Sequence, residues 1–468
     1  MVSYFPKQIA LRAISVYIIA LAIVSLVYLD YAMDIIYYVL GLLCVVSFFL
    51  LSNTFCKRLN TISNSEYYMQ VLLLAVTLRL LWVVFSYFYY ISATGVPFEF
   101  SSADAIGYHE VAEWLSTESW DYIRGYYFGP GSIGISDTGY PIYLTVIYKV
   151  FGPIIIIPRI IKALLSSITC MLIYKLSSRT FGETVGRVSG IMCALMPNLI
   201  IYCGYHLKET EMIFLEVAFL ERLDFLIRNR RYSFFSILLP SVLAGSLFFF
   251  RTVLGAAAAF SFATTVLLSS AQTMKSGLKR IVLVAWGVLC LFVFSGGTAM
   301  TEAEALWEER DNNVEKKRTE QTLRGNQWAH YATGTVMAPL SVVLPFATMI
   351  NVDEQYSQNE KHGGNYIRNF MGFFALLAVY EAIRRKNWRN YALIGSFIIA
   401  YLGVVSMSGF SNSERFLLPA LPGLIMMWAY GLSVLRRESY SLLTPWCFIV
   451  IVMEIGWAYF KLGSRGLL

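Results

Sequence analysis

Residues 139–159 read Gly-Tyr-Pro-Ile-Tyr-Leu-Thr-Val-Ile-Tyr-Lys-Val-Phe-Gly-Pro-Ile-Ile-Ile-Ile-Pro-Arg. The run is apolar enough to pass for a membrane span, but Gly152, Pro153 and Pro158 break it. Read as a helix lying at the membrane interface and ending in a turn, it leaves every short basic cluster of the chain on one side. Read as a span, it reverses every cluster that follows. Spans of about 20 mostly apolar residues are expected near 9–28, 33–53, 69–92, 160–178, 185–204, 208–227, 233–250, 253–271, 281–298, 365–383, 391–408, 415–434 and 441–460, about thirteen in all. With Lys7 and Arg12 in the cytoplasm, the alternate loops carry Lys57-Arg58, Arg179 with Arg187, Arg228 with Arg230 and Arg231, Lys275 with Lys279 and Arg280, Arg384-Arg385-Lys386 with Arg389, and Arg436-Arg437. That sidedness is the positive-inside pattern, and it sets the N-terminus cytoplasmic.

Composition agrees. Of 468 residues, 57% are hydrophobic and 14% charged, and the mean hydropathy is +0.58. Average soluble domains carry about 25% charged residues, so a soluble enzyme, a disordered chain and a fibrous protein are excluded. The excess of 37 basic over 30 acidic residues, +7, implies no nucleic-acid partner, because basic residues gather in cytoplasmic loops. The cysteines show no CxxC and no zinc or disulfide spacing. The first apolar run is span-length and lacks a small-residue cleavage site, so no cleavable signal peptide is read.

The expected fold is an all-α polytopic membrane protein. Two N-terminal helices (1–62) precede a helical core (63–298) that includes a large outer loop, 93–159. A second outer loop, 299–364, holds the most charged stretch, with an interfacial or re-entrant segment at 336–350 broken by Pro339 and Pro345. Further spans follow in 365–468. No internal repeat suggests a transporter built from two halves.

The outer face collects ionisable residues. In the first loop, Tyr108, Val111, Ala112 and Leu115 share one helical face, and Asp104 stands just before it, where a carboxylate serves equally as a helix cap or as a group at the mouth of a site. Arg159, Lys208, Arg251 and Arg415 belong to different helices, yet all four fall at the outer boundary. A charge at membrane depth costs about 2.5–3.5 kcal/mol even on lenient scales, so such groups snorkel, pair or function. Together with Asp104 they fit a site for a phosphate and a base. Arg79, mid-helix, and Glu216, inside the span that starts at Lys208, stand apart; a buried pair between them is one structural reading.

These residues resemble a family. A span containing Arg79, a loop with Asp104, then Tyr108-x-x-x-Ala112-x-x-Leu115, resembles the opening of the GT-C membrane glycosyltransferases, with most likeness to the dolichyl-phosphate-mannose–protein mannosyltransferase group (glycosyltransferase family 39 and relatives). The segment from Gly139-Tyr140-Pro141 to Phe151-Gly152, Pro158-Arg159-Ile160, Arg179-Thr180-Phe181-Gly182, Ala194-Leu195-Met196-Pro197 and Arg415-Phe416-Leu417-Leu418-Pro419 follow the family layout over about 65–435. The resemblance implies a GT-C-like bundle and inverting transfer of a sugar from a polyprenyl-phosphate donor to an acceptor hydroxyl on a lipid, glycan or protein at the outer face. It implies Asp104 as the catalytic base and Arg159, Lys208, Arg251 and Arg415 as cations for the donor phosphate. Tyr108, His109, Glu209 and His330 are candidate acceptor or sugar contacts. No second carboxylate is evident as a nucleophile. Many relatives carry Asp-Glu where this chain has Asp104-Ala105, so no cofactor is assigned and a divalent metal stays open. The chain's modest size and lack of an added soluble domain point to a bacterial inner membrane. Two alternatives are a surface-polysaccharide polymerase or ligase that uses a lipid-diphosphate oligosaccharide, and a lipid-linked-sugar flippase. The phosphate count of the donor separates the first from the main reading, and a structural repeat would favour the second.

Overall fold

The computed structural model describes residues 5–129, 137–229, 234–268, 287, 340–352, 356–386, 388–407 and 413–467. Among these residues every regular element is a helix: α1 (Lys7–Val27), α2 (Ile35–Leu59), α3 (Asn64–Thr94), α4 (Ala103–Thr117), α5 (Trp120–Phe128), α6 (Gly139–Phe151), α7 (Ile156–Phe181), α8 (Glu183–Leu195), α9 (Pro197–Gly204), α10 (Glu209–Asn229), α11 (Phe234–Phe250), α12 (Thr252–Leu268), α13 (Tyr356–Arg384), α14 (Ala392–Met407), the single turn α15 (Glu414–Leu417), α16 (Leu421–Ser433) and α17 (Leu443–Gly463). Among the described residues, eight helices are long and apolar enough to cross a membrane, or nine if α8 and α9, bent by 42° at their junction, form one span. The chain is an integral membrane protein. Ile35, Val39 and Leu43 of α2 and Met69, Leu73 and Leu81 of α3 lie on the outside, as lipid-facing stripes do.

Local sequence explains the breaks. Ser63 and Glu66 form a capping box that starts α3. Gly152, with φ 80°, ends α6, a position that strains any residue with a Cβ. The segment 139–159 is thus a helix of 13 residues and a turn, not a continuous span. Core contacts run between α7 and α8, α10 and α7, α3 and α7, and α13 and α16, while α6 packs on α4 above them.

Pro197 provides no amide for the carbonyls at the end of α8. Buried Arg79 does: its Nη2 donates to Cys193 O at 3.2 Å and its Nη1 to Ala194 O at 3.1 Å, while Nε donates to Ser166 Oγ at 2.7 Å. The pair between Arg79 and Glu216, one structural reading of the two residues, therefore does not form; Glu216 Oε2 has no hydrogen-bond partner among the described residues. A guanidinium at the C-terminal end of α8 also complements its dipole.

The region read as a second outer loop is helical earlier than expected. Helix α13 starts at Tyr356, not near 365. Its first turns carry Glu360, Lys361, His362 and Asn365, all buried. Of the segment 336–350 read as interfacial or re-entrant, residues 340–350 are described, and 343–350 are buried. Its carbonyls are met from α13: Asn369 Nδ2 donates to Val343 O at 2.6 Å and Pro345 O at 2.9 Å, and Arg368 Nη2 to Ser341 O at 3.0 Å. Irregular backbone is tolerated at such a place because the protein satisfies it. The expected span 281–298, except Gly287, and the charged stretch 302–324 lie outside the described residues.

Candidate active site

Arg415 is the centre of the site. It sits on α15, and its guanidinium bridges two carboxylates: Nη1 donates to Asp104 Oδ2 and Nε to Glu209 Oε1. Arg251 reaches the same Glu209 oxygen, Nη2 to Oε1 at 3.7 Å, and lies over the Phe416 ring with its guanidinium carbon 4.3 Å from the centroid. Lys208 pairs with Asp137. Residues distant in sequence therefore meet at one rim: Asp104 in the first turn of α4, Lys208 and Glu209 at the start of α10, Arg251 in the break between α11 and α12, and Arg415.

The local reasons are simple. The N-cap of α4 is Ser102, so Asp104 lies inside the first turn, near the positive end of the dipole, and its side chain is directed to Arg415. Of the two readings of Asp104, the helix cap is the one the geometry removes. Arg251 occupies the gap between two apolar helices, and its Nη1 is buried without a hydrogen-bond partner among the described residues. Glu209 is fully buried and Asp104 is exposed. Burial holds the Lys208 ammonium below its usual range, with Arg251 adding repulsion and Asp137 opposing it. Burial likewise raises the Tyr108 phenol, with Asp137, Glu209 and Asp104 pushing the same way and Arg415 opposing. The Tyr108 ring meets that of Tyr140 edge-on at 5.2 Å, forming a wall of the site.

Behind that wall is a second polar nest, and Arg159 belongs to it. Arg159 is fully buried, and its Nη2 donates to Pro97 O at 2.5 Å. Its nearest acidic neighbour is Glu99, whose carboxyl is raised by burial against the pull of Arg159. Glu99 Oε2 accepts the backbone amide of His206 at 3.1 Å. Lys162 stands 3.7 Å from Glu211. The four cations do not form one cluster: Lys208, Arg251 and Arg415 share the rim, and Arg159 is anchored behind it. His109 is half-buried in this nest, its Nδ1 2.8 Å from the Tyr148 hydroxyl, which is 3.2 Å from His206 Nε2. Burial lowers the pKa of both imidazoles; for His206 the charges of Lys162 and Arg159 lower it further, while Glu113 and Glu110 oppose the shift at His109. His330 lies outside the described residues.

Several residues under the site were not singled out in the sequence. Glu360 accepts from the Tyr90 hydroxyl at 2.5 Å and the Tyr205 hydroxyl at 2.8 Å. Glu414 is held by Lys361 and Asn198. The available signal was the polar run Gln358-Asn359-Glu360-Lys361-His362 directly before an apolar helix. Among the described residues, no group of three or more His, Cys, Asp or Glu side chains is arranged to hold a metal ion.

No family model and no curated protein sequence matches the chain. Solved structures do. The archaeal oligosaccharyltransferase AglB from Archaeoglobus fulgidus, in complex with an inhibitory peptide and a dolichol-phosphate, superposes with a TM-score of 0.50 at 11% identity, covering 86% of this chain and 56% of AglB. A crystal structure of the same organism's oligosaccharyltransferase in the apo form gives a TM-score of 0.45 at 11% identity, covering 86% of this chain and 56% of that one. The chain thus spans little more than half the length of AglB, and the likeness is one of fold.

Proposed function

We propose that the protein is a membrane glycosyltransferase that moves a sugar from a polyprenyl-phosphate donor to an acceptor hydroxyl at the outer face of a bacterial inner membrane. The observation that carries this reading is the chain of ion pairs at one rim of the helical bundle: Arg415 bridges Asp104 and Glu209, Arg251 reaches the same Glu209, and the adjacent Lys208 pairs with Asp137. AglB, whose fold it shares, was solved with a dolichol-phosphate, the class of molecule the reading requires.

Each group has a role its chemistry suits. Asp104 is exposed, so it can meet an acceptor hydroxyl and take its proton as the bond from acceptor oxygen to the anomeric carbon forms. The bond from that carbon to the phosphate oxygen breaks, and charge grows on the lipid phosphate. Arg415 and Arg251 supply forked donors and Lys208 a point charge for it. Glu209 is buried and engaged by Arg415 and Arg251, which leaves it unsuited to be a nucleophile. Single displacement with inversion follows. Arg159 stands apart from these three: it supports Glu99 and the loop at Pro97, and its Nε and Nη1 have no hydrogen-bond partner among the described residues.

The decisive experiment is Asp104→Asn in purified protein given a polyprenyl-phosphate sugar. Transfer falls by about 10²–10⁴-fold, the usual contribution of a general base, with unchanged membrane insertion. Transfer near the wild-type rate would remove Asp104 from the mechanism. A second reading is a surface-polysaccharide polymerase or ligase that takes a lipid-diphosphate oligosaccharide, and the likeness to an oligosaccharyltransferase favours it only in that an oligosaccharide is moved; activity with that donor alone would select it.

A further inference from the structure

Arg415 lies on a helix of one turn, which has almost no rigidity of its own. Something else must aim it. The neighbouring Glu414 is gripped from two helices. Lys361 Nζ of α13 stands 2.9 Å from Glu414 Oε2. From α9, Asn198 Nδ2 donates to Oε1, and the Tyr202 hydroxyl is 3.4 Å from Oε2. Asn198 is itself fixed by Asn365 Oδ1 at 2.9 Å. The Lys361 ammonium lies over the Tyr202 and Tyr205 rings, at 5.2 and 5.4 Å from their centroids. Both Lys361 and Glu414 are buried. Two further bonds hold the backbone of the same turn: Arg368 Nη1 donates to Leu417 O at 3.2 Å, and the Tyr401 hydroxyl to Phe416 O at 2.9 Å.

Among these partners Lys361 is the one that pairs with Glu414 as a cation at short range. Without it, a buried carboxylate would keep only neutral donors, a costly state that relaxes by moving the charged group. The group that moves carries Arg415 with it. We infer that Lys361 is a positioning residue for the donor phosphate: through Glu414 it fixes α15 so that Arg415 presents its guanidinium between Asp104 and Glu209. The inference rests on the donor reading above and adds a residue that never touches the donor.

The test titrates polyprenyl phosphate against the full-length protein in detergent and follows the rise in melting temperature. Lys361→Met weakens the apparent Kd on the order of tenfold, the value of one charge-assisted hydrogen bond at the site. Lys361→Arg restores it. Glu414→Gln, nearly isosteric, weakens binding to a similar degree, and Lys361→Met with Glu414→Gln is no weaker than either alone. Should Lys361→Met fail to fold, Glu414→Gln carries the comparison with wild type. A merely structural role would lower the ligand-free melting temperature and leave the Kd unmoved. Titrations of Lys361→Met and Glu414→Gln that superimpose on wild type, or losses that add in the double variant, overturn the positioning role alone. A wild-type protein that gives no shift with polyprenyl phosphate overturns the donor reading, and this inference with it.

Discussion

Glu209→Gln tests the charge balance of the site. Glu209 is fully buried and serves two arginines, Arg415 directly and Arg251 at 3.7 Å. At that distance and an effective dielectric of about 20, one charge pair is worth about 4 kcal/mol. The isosteric amide keeps an acceptor for Arg415 but removes the charge. Part of the loss is offset because a buried carboxylate no longer has to be desolvated. Removing one partner of a buried ion pair costs about 3–5 kcal/mol in general, and the retained acceptor puts Glu209→Gln near the lower end. In a chain of this length that corresponds to a fall in melting temperature of roughly 3 °C, since the shift per kcal/mol shrinks as chains lengthen. The assay is thermal unfolding in detergent of Glu209→Gln, Arg251→Met and the pair. Arg251→Met removes the guanidinium left uncompensated, so the double variant melts above the sum of the two single losses. Glu209→Gln melting with wild type, or strict additivity in the pair, would refute the shared-carboxylate account.

Other expectations follow from the same geometry. Arg79→Met strips donors from Cys193 O, Ala194 O and Ser166 Oγ, at about 1–3 kcal/mol for each buried group left unpaired; adding Pro197→Ala, which restores a backbone N–H, recovers part of the melting temperature, and additive losses would argue against the clamp. His206 is buried and its pKa is held well below the usual 6.5. The unfolded chain then binds a proton as pH falls through about 6.5 while the folded one does not, so stability above that pH is lost on acidification toward the folded value. His206→Asn should flatten the fall in melting temperature between about pH 7 and pH 5, and an unchanged slope would place the titrating group elsewhere. Glu99, whose carboxyl is raised, contributes a slope of the opposite sign that both proteins share.

The sequence carried the helices and their order because lipid imposes a length and a composition on each span. Gly152, Pro153 and Pro158 marked the break between α6 and α7, and Pro197 marked the bend after α8. Sidedness also drew Asp104, Lys208, Arg251 and Arg415 to one face. It could not separate Arg159 from them, because a topology fixes depth and leaves lateral position open; Arg159 sits on α7 and turns to Pro97 O and Glu99 instead. The start of α13 was illegible for a different reason. Glu360, Lys361 and His362 look like loop residues until their partners, Tyr90, Tyr205, Glu414 and Tyr17, are seen to come from far along the chain. Arg79 was illegible in the same way: Cys193 O and Ala194 O, which it caps, are main-chain carbonyls and leave no letter in a sequence.

The bend between α8 and α9 has a bearing on how such a chain can drift or be redesigned. The 42° turn at Met196-Pro197 aims Asn198 and Tyr202 at Glu414, so a proline and an arginine more than a hundred positions apart jointly sculpt the shelf beneath Arg415. Neither is free to vary by itself: a lone proline would strand carbonyls in the bilayer, and a lone arginine would strand a charge. Lineages of this protein should therefore inherit Arg79 and Pro197 as a pair or lose both together, and those that lose both must find another support for the turn that bears Arg415.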